Sequence, residues 1–245
     1  MRTKGTRDYG SYNSGGKRGW YDDEYNPRSY GYGHGAGYGG EMSLASYNGL
    51  IGIILLYGFG VNYLLVKFCA DTFMALNPWA LIIGYFVLAI IGMLMSAKSD
   101  NPVVSFIGYN LVVLPVGAVL SVCLSDIAPD LIMHVVTVTV GVTLVMLIAG
   151  TLFPRAFMSI GRALFIALLA VIIIELICML FGVFMPTFWD FIVALIFCGY
   201  IGYDWAVAQQ EYRTLDNAID ACVGLYLDIV NLFLRLLSIE SRRRD

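Results

Sequence analysis

Two acidic side chains stand where a chain seldom places them. Asp228 lies inside the apolar run GLYLDIVNLFLRLL, and Asp204 lies inside FCGYIGYDWAVAQ. Desolvating a carboxylate charge costs several kcal/mol, so an acid within a membrane-length apolar stretch needs a partner, a proton or a task. Asp204 and Asp228 are equally far in sequence from Asp216, which sits between them. If Asp216 marks the turn of a helical hairpin, the two acids reach the same depth. At ~1.5 Å per residue that depth is at most ~18 Å, the middle of a ~30 Å hydrocarbon core. Two carboxylates held together in low dielectric cannot both ionise cheaply. They can share a proton through a hydrogen bond, and pH then sets the charge of the pair. Spacing alone equally allows two unrelated acids, each satisfied by backbone groups or tyrosine hydroxyls.

Further polar residues follow helical spacing. Asp216, Asp220, Gly224, Asp228, Asn231 and Arg235 recur every three or four residues and share one face of a helix. Such a stripe cannot face lipid and must turn to the bundle interior or to water. Asp190, Asp204 and Glu211 are separated by multiples of seven and fall near a second stripe. Glu175, in VIIIELICML, is another intramembrane acid. It is a functional candidate by default, or a structural residue hydrogen-bonded to a neighbouring helix.

The elements that carry these residues are membrane helices. The chain has 245 residues, 59% hydrophobic and only 13% charged, with a net charge of −3; its mean hydropathy is +0.75. Soluble domains carry about 25% charged residues. The expected class is a polytopic all-α membrane protein with no nucleic-acid partner. Seven apolar runs are predicted at about 47–69, 78–97, 103–125, 131–152, 160–184, 187–209 and 217–239. Short connections make neighbours antiparallel, giving an up-and-down bundle. Pro115 should kink the third helix, with Gly117 allowing close packing beside it. Residues 1–43, rich in Gly and Tyr, are expected to form a disordered tail, followed by a transmembrane domain over 44–240 and a basic tail over 241–245. No cleavable signal peptide is read, so the first membrane helix is expected to direct insertion. Lys and Arg residues favour an N-terminus inside only when the tail is counted.

Catalysis fits poorly. His134 is the only histidine outside the tail, so neither HExxH nor a histidine cluster exists for zinc. Beside Thr137, it is expected to form a buried hydrogen-bonding pair. Ser121, Ser125 and Ser159 have no neighbouring base. The five cysteines lie in or beside apolar segments without a CxxC pair and are read as small membrane hydrophobes. The tail sequence GYGHGAGYGG lacks the strand–helix context of a phosphate loop. No catalytic residue and no cofactor is expected.

GYIGYD followed by GLYLDIVNLFLRLL resembles the hallmark of the Bax inhibitor one family, the transmembrane Bax inhibitor motif proteins. That signature pairs a Tyr-Asp near the end of the sixth helix with a Leu-Tyr-Leu-Asp-Ile-hydrophobic-Asn-Leu-Phe segment in the seventh. The resemblance covers about 47–239, and the last two helices carry nearly all of its specificity. It implies a bundle wrapped around a central seventh helix. It further implies a passive calcium leak controlled by a di-aspartyl pH sensor, whose carboxylates map onto Asp204 and Asp228.

The chain departs from the family pattern in two places. Bacterial members carry a basic cluster after the second helix, whose arginine can latch onto the sensor. Here the stretch reads MLMSAKSDN, with Lys98 as its only cation. Lysine lacks arginine's bidentate fork, so Lys98 is a candidate latch of a different kind. The acid that some relatives place in the second helix is also absent. Two function classes follow. In the first, a pH-sensitive calcium leak or cation/proton exchange pathway, Asp204 and Asp228 form the gate and bind calcium transiently; Glu175, Asp190, Asp220 and Asn231 line the route. In the second, a non-conducting regulator binds other membrane proteins, such as a membrane protease or a cell-death component. The acidic stripe favours the first, because docking does not require carboxylates in mid-membrane. A bacterial plasma membrane is the expected location.

Overall fold

The computed structural model describes residues 40–244. Seven helices follow in order: α1 Leu44–Met74, α2 Pro78–Lys98, α3 Pro102–Cys123, α4 Pro129–Leu152, α5 Pro154–Leu180, α6 Thr187–Ala208 and α7 Leu215–Arg244. All seven are long and apolar enough to cross a membrane. No strand occurs among the described residues.

Local chemistry fixes where the helices begin. α2, α3, α4 and α5 each open on a proline, whose missing N–H costs nothing in a first turn. Asn77 and Asn101 cap α2 and α3 by accepting from backbone N–H groups, and Thr214 Oγ1 accepts from the N–H of Asn217 at the start of α7. The proline in FPRAFMS explains a difference from the expected loop. Pro154 starts α5, so the connection from α4 shrinks to Phe153. α3 runs as a helix through Pro115, and Gly117 abuts Asn62 and Leu65 of α1.

α7 is the hub. It packs against α6, α1, α4, α3 and α2, whereas α5 packs mainly on α6 and, more lightly, α4. Burial follows: 56% of the spanning window of α7 is inside the bundle, against 6% for α5. α2 and α3 cross with backbones touching, because a Cβ on Gly92 or on Gly108 would strike the other's carbonyl oxygen. With seven antiparallel spans, the start of α1 and the end of α7 lie on opposite faces, called here the tail face and the C-terminal face.

Contacts at both ends extend the described fold. Residues 1–39 of the expected tail lie outside the described residues, but the folded unit begins before Leu44. Glu41 pairs with Arg213 at 2.9 Å, the N–H of Met42 donates to the carbonyl of Arg213 at 2.8 Å, and Ser43 caps α1. At the other end, α7 continues to Arg244, and Arg244 reaches Asp130 at 2.7 Å. The basic segment is therefore a last helical turn tied to α4. Removing residues 1–40 is expected to leave thermal stability nearly unchanged, since that cut spares all three attachments. A cut extended through Ser43 should lower stability by about 1 kcal/mol through loss of the cap. Thermal unfolding of the two truncations checks this, and a large loss in the shorter one would mean that the tail docks on the bundle.

Candidate functional site

The hairpin of α6 and α7 builds the site. Its connection, residues 209–214, brings the two helices together antiparallel, and the equal spacing from Asp216 puts the two acids level. The side chains of Asp204 of α6 and Asp228 of α7 lie within hydrogen-bonding reach of each other. Ionised carboxylates only accept hydrogen bonds, so a hydrogen bond between them needs a proton on one partner. Asp228 is 7% exposed, and its Oδ2 is fully buried.

Gly224, one turn before Asp228, makes the approach possible. A Cβ at this position would land on the Asp204 carboxylate. The sequence reading placed Gly224 on the polar stripe without giving it a role; the small residue one turn from a buried acid was the available signal.

Two open cavities flank the pair. One, of about 270 Å³, opens toward the tail face and is lined by Asp204, Glu211, Asp220 and Gly224, among others. The other, of about 680 Å³, opens toward the C-terminal face and includes Glu175, Asp190, Asn231 and Arg235. One face of α7 therefore passes from Asp220 and Gly224 in the first cavity, through Asp228, to Asn231 and Arg235 in the second. The stretch from Gly224 to Asn231 is about 10 Å long at 1.5 Å per residue.

The other candidates separate between these cavities. Asp220 accepts from Ser96 of α2, and Asp216, next along the stripe, accepts from Ser105 of α3 at 2.7 Å. On the far side, Glu175 and Asp190 join Arg235 at 2.8 and 3.1 Å. Asn231 lines the same cavity and donates to the carbonyl of Leu227 on its own helix at 2.8 Å. Lys98 is exposed at the end of α2 and bonds to no described residue, so it does not engage the pair in this structure. Ser96, Ser105, Trp189 and Ser238, which hold the acids, were not singled out from sequence. Their signal was small or amphipathic polar residues inside apolar helices. His134 and Thr137 do not form the expected buried pair. Both are exposed, and Thr137 bonds the carbonyl of Met133 on its own helix.

Among the described residues, no group of three or more His, Cys, Asp or Glu side chains is placed to hold a metal ion. The pair offers two carboxylates, fewer oxygens than a resident calcium ion takes.

Fold and site together define a multi-pass integral membrane protein with a close acid pair at its centre. The family described as Inhibitor of apoptosis-promoting Bax1 matches residues 42–245, and the chain belongs to this Bax inhibitor family. It is 30% identical over 191 residues to Bax inhibitor 1 of Schizosaccharomyces pombe, covering 75% of this chain and 68% of that protein. Protein LIFEGUARD 4 of Arabidopsis thaliana is 42% identical over 85 residues, 34% of each chain. An uncharacterized protein of Helicobacter pylori is 39% identical over 85 residues, 33% of this chain and 35% of its own. The matches to the plant proteins span about a third of their length. No solved structure matches the chain.

Proposed function

We propose that the protein is a pH-sensitive calcium leak, or a cation/proton exchange pathway, gated by Asp204 and Asp228. One observation carries this reading: two acids within hydrogen-bonding reach of each other lie where one polar face of α7 passes between two open cavities. With one shared proton the pair carries a single negative charge and ties α6 to α7. Raising the pH removes that proton and leaves two repelling charges that attract a divalent cation. Lowering the pH adds a second proton and neutralises the pair. Both changes replace the tie, so conduction responds to pH from either side. Calcium is cargo in this reading, no cofactor takes part, and no bond is made or broken in a substrate. The setting we assign is a bacterial plasma membrane, with the lipid bilayer, calcium and protons as the partners.

Calcium flux through the purified protein in liposomes, measured across the physiological pH range, tests the proposal. Flux above that of protein-free vesicles, with a pH dependence, supports it. Absence of flux at every pH would leave the non-conducting regulator that docks on other membrane proteins.

A further inference from the structure

The cavity on the C-terminal face holds a charge arrangement that the dyad reading does not use. Arg235 joins three helices. Its Nη1 lies 2.8 Å from Glu175 Oε1 of α5 and 3.1 Å from Asp190 Oδ1 of α6, while its Nη2 donates to Glu175 Oε2 at 2.8 Å. The planar fork therefore engages both oxygens of Glu175. The surroundings hold the acids in place: Trp189 Nε1 donates to Glu175 at 2.9 Å, and Ser238 Oγ donates to Asp190 at 2.9 Å. Arg242 Nη1 stands 3.6 Å from the second oxygen of Asp190. Two carboxylates thus face two guanidinium groups.

Position separates this cluster from an ordinary helix lock. Arg235 lies two turns beyond Asp228 on the same face of α7, with Asn231 between them, and lines the open cavity. Its side chain is 26% exposed and that of Glu175 30% exposed, so both meet the space an ion would cross. A guanidinium bridging two carboxylates fills the place a passing cation would take. We infer that Arg235 is the charge gate of this cavity: a tethered cation that, with Arg242, neutralises Glu175 and Asp190 and opposes the passage of cations to and from the acid pair. This rests on the conduction reading above and adds a second control point with its own residues.

Electrostatics gives the gate an opposite-sign signature. Arg235→Gln leaves two carboxylates against the single guanidinium of Arg242, a net negative charge in the cavity, and calcium flux should rise roughly tenfold. Glu175→Gln leaves an excess of positive charge, and flux should fall. Arg235→Lys keeps the charge and should stay near wild type. All three should keep the wild-type pH midpoint, because Asp204 and Asp228 are untouched. The experiment is calcium flux against pH in liposomes carrying the full chain, with thermal unfolding of each variant measured in parallel. Changes in the same direction for Arg235→Gln and Glu175→Gln, tracking lost stability, would make the cluster a structural lock and overturn the gate. So would Arg235→Lys behaving as Arg235→Gln. Should Arg235→Gln fail to fold, a folded Glu175→Gln decides: lower flux supports the gate, and unchanged or higher flux overturns it. Wild-type protein that conducts at no pH removes the conduction reading and the gate together. Normal wild-type flux, with these variants unaltered, removes the gate alone.

Discussion

Asp204→Asn and Asp228→Asn should each flatten the pH dependence of calcium flux. Asn preserves the shape of the side chain and can still donate a hydrogen bond to the remaining carboxylate, so the helices keep their contact. What disappears is the coupled titration of two acids that hold one proton between them. With one titrating group left, neither the doubly charged nor the doubly protonated state of the pair can form. The double variant should add little to either single one, because residues acting as one unit are not additive. Flux in liposomes over the physiological pH range measures all three. If both single variants keep the wild-type profile, the acids are structural and the shared-proton switch is wrong.

Gly224→Ala should have an effect of comparable size although it removes no charge. The added methyl would occupy the position of the Asp204 carboxylate, so α6 and α7 must move apart or Asp204 must turn away. In either case the contact with the buried Asp228 is lost. Leaving a buried polar group unsatisfied costs about 1–3 kcal/mol, more for a charged one. The expected result is a lower unfolding temperature together with a flattened pH profile. Shortening Asp204 to Ala in the Gly224→Ala background should return part of the stability, because the methyl then meets no carboxylate. A Gly224→Ala protein with wild-type stability and pH response would show that the pair does not depend on this close approach.

Much of this was legible before the structure. The seven spans were, because each helix is a separate run of apolar residues near the length that a bilayer demands. The level placement of Asp204 and Asp228 was also legible, because a short antiparallel hairpin turns sequence distance from Asp216 into depth. Ends were harder. Pro154 lies between two predicted runs and acts as a helix start, and Arg242, Arg243 and Arg244, assigned to a basic tail, form the last turn of α7. The grouping of Glu175, Asp190 and Arg235 was out of reach for a different reason. Each lay in a recognised run, but their meeting depends on how α5, α6 and α7 sit side by side, which no periodicity within one helix encodes. The contacts of Asp220 with Ser96 and of Asp216 with Ser105 depend likewise on the position of α7 among its neighbours.

The two cavities have a consequence for how the protein experiences its membrane. Where polar, open cavities admit water from both faces, the electrical potential of each bath extends inward, and the voltage falls mainly across the low-dielectric septum between them. Here that septum is the short stretch of α7 around Asp228, about 10 Å at 1.5 Å per residue. One elementary charge moved through a full 100 mV drop exchanges about 2.3 kcal/mol with the field. Asp204 lines the tail-face cavity, so a proton from that side meets the pair directly, whereas one from the C-terminal cavity crosses the septum and its voltage drop. In the conduction reading, proton exchange with the C-terminal face would therefore depend on membrane voltage as well as on proton concentration.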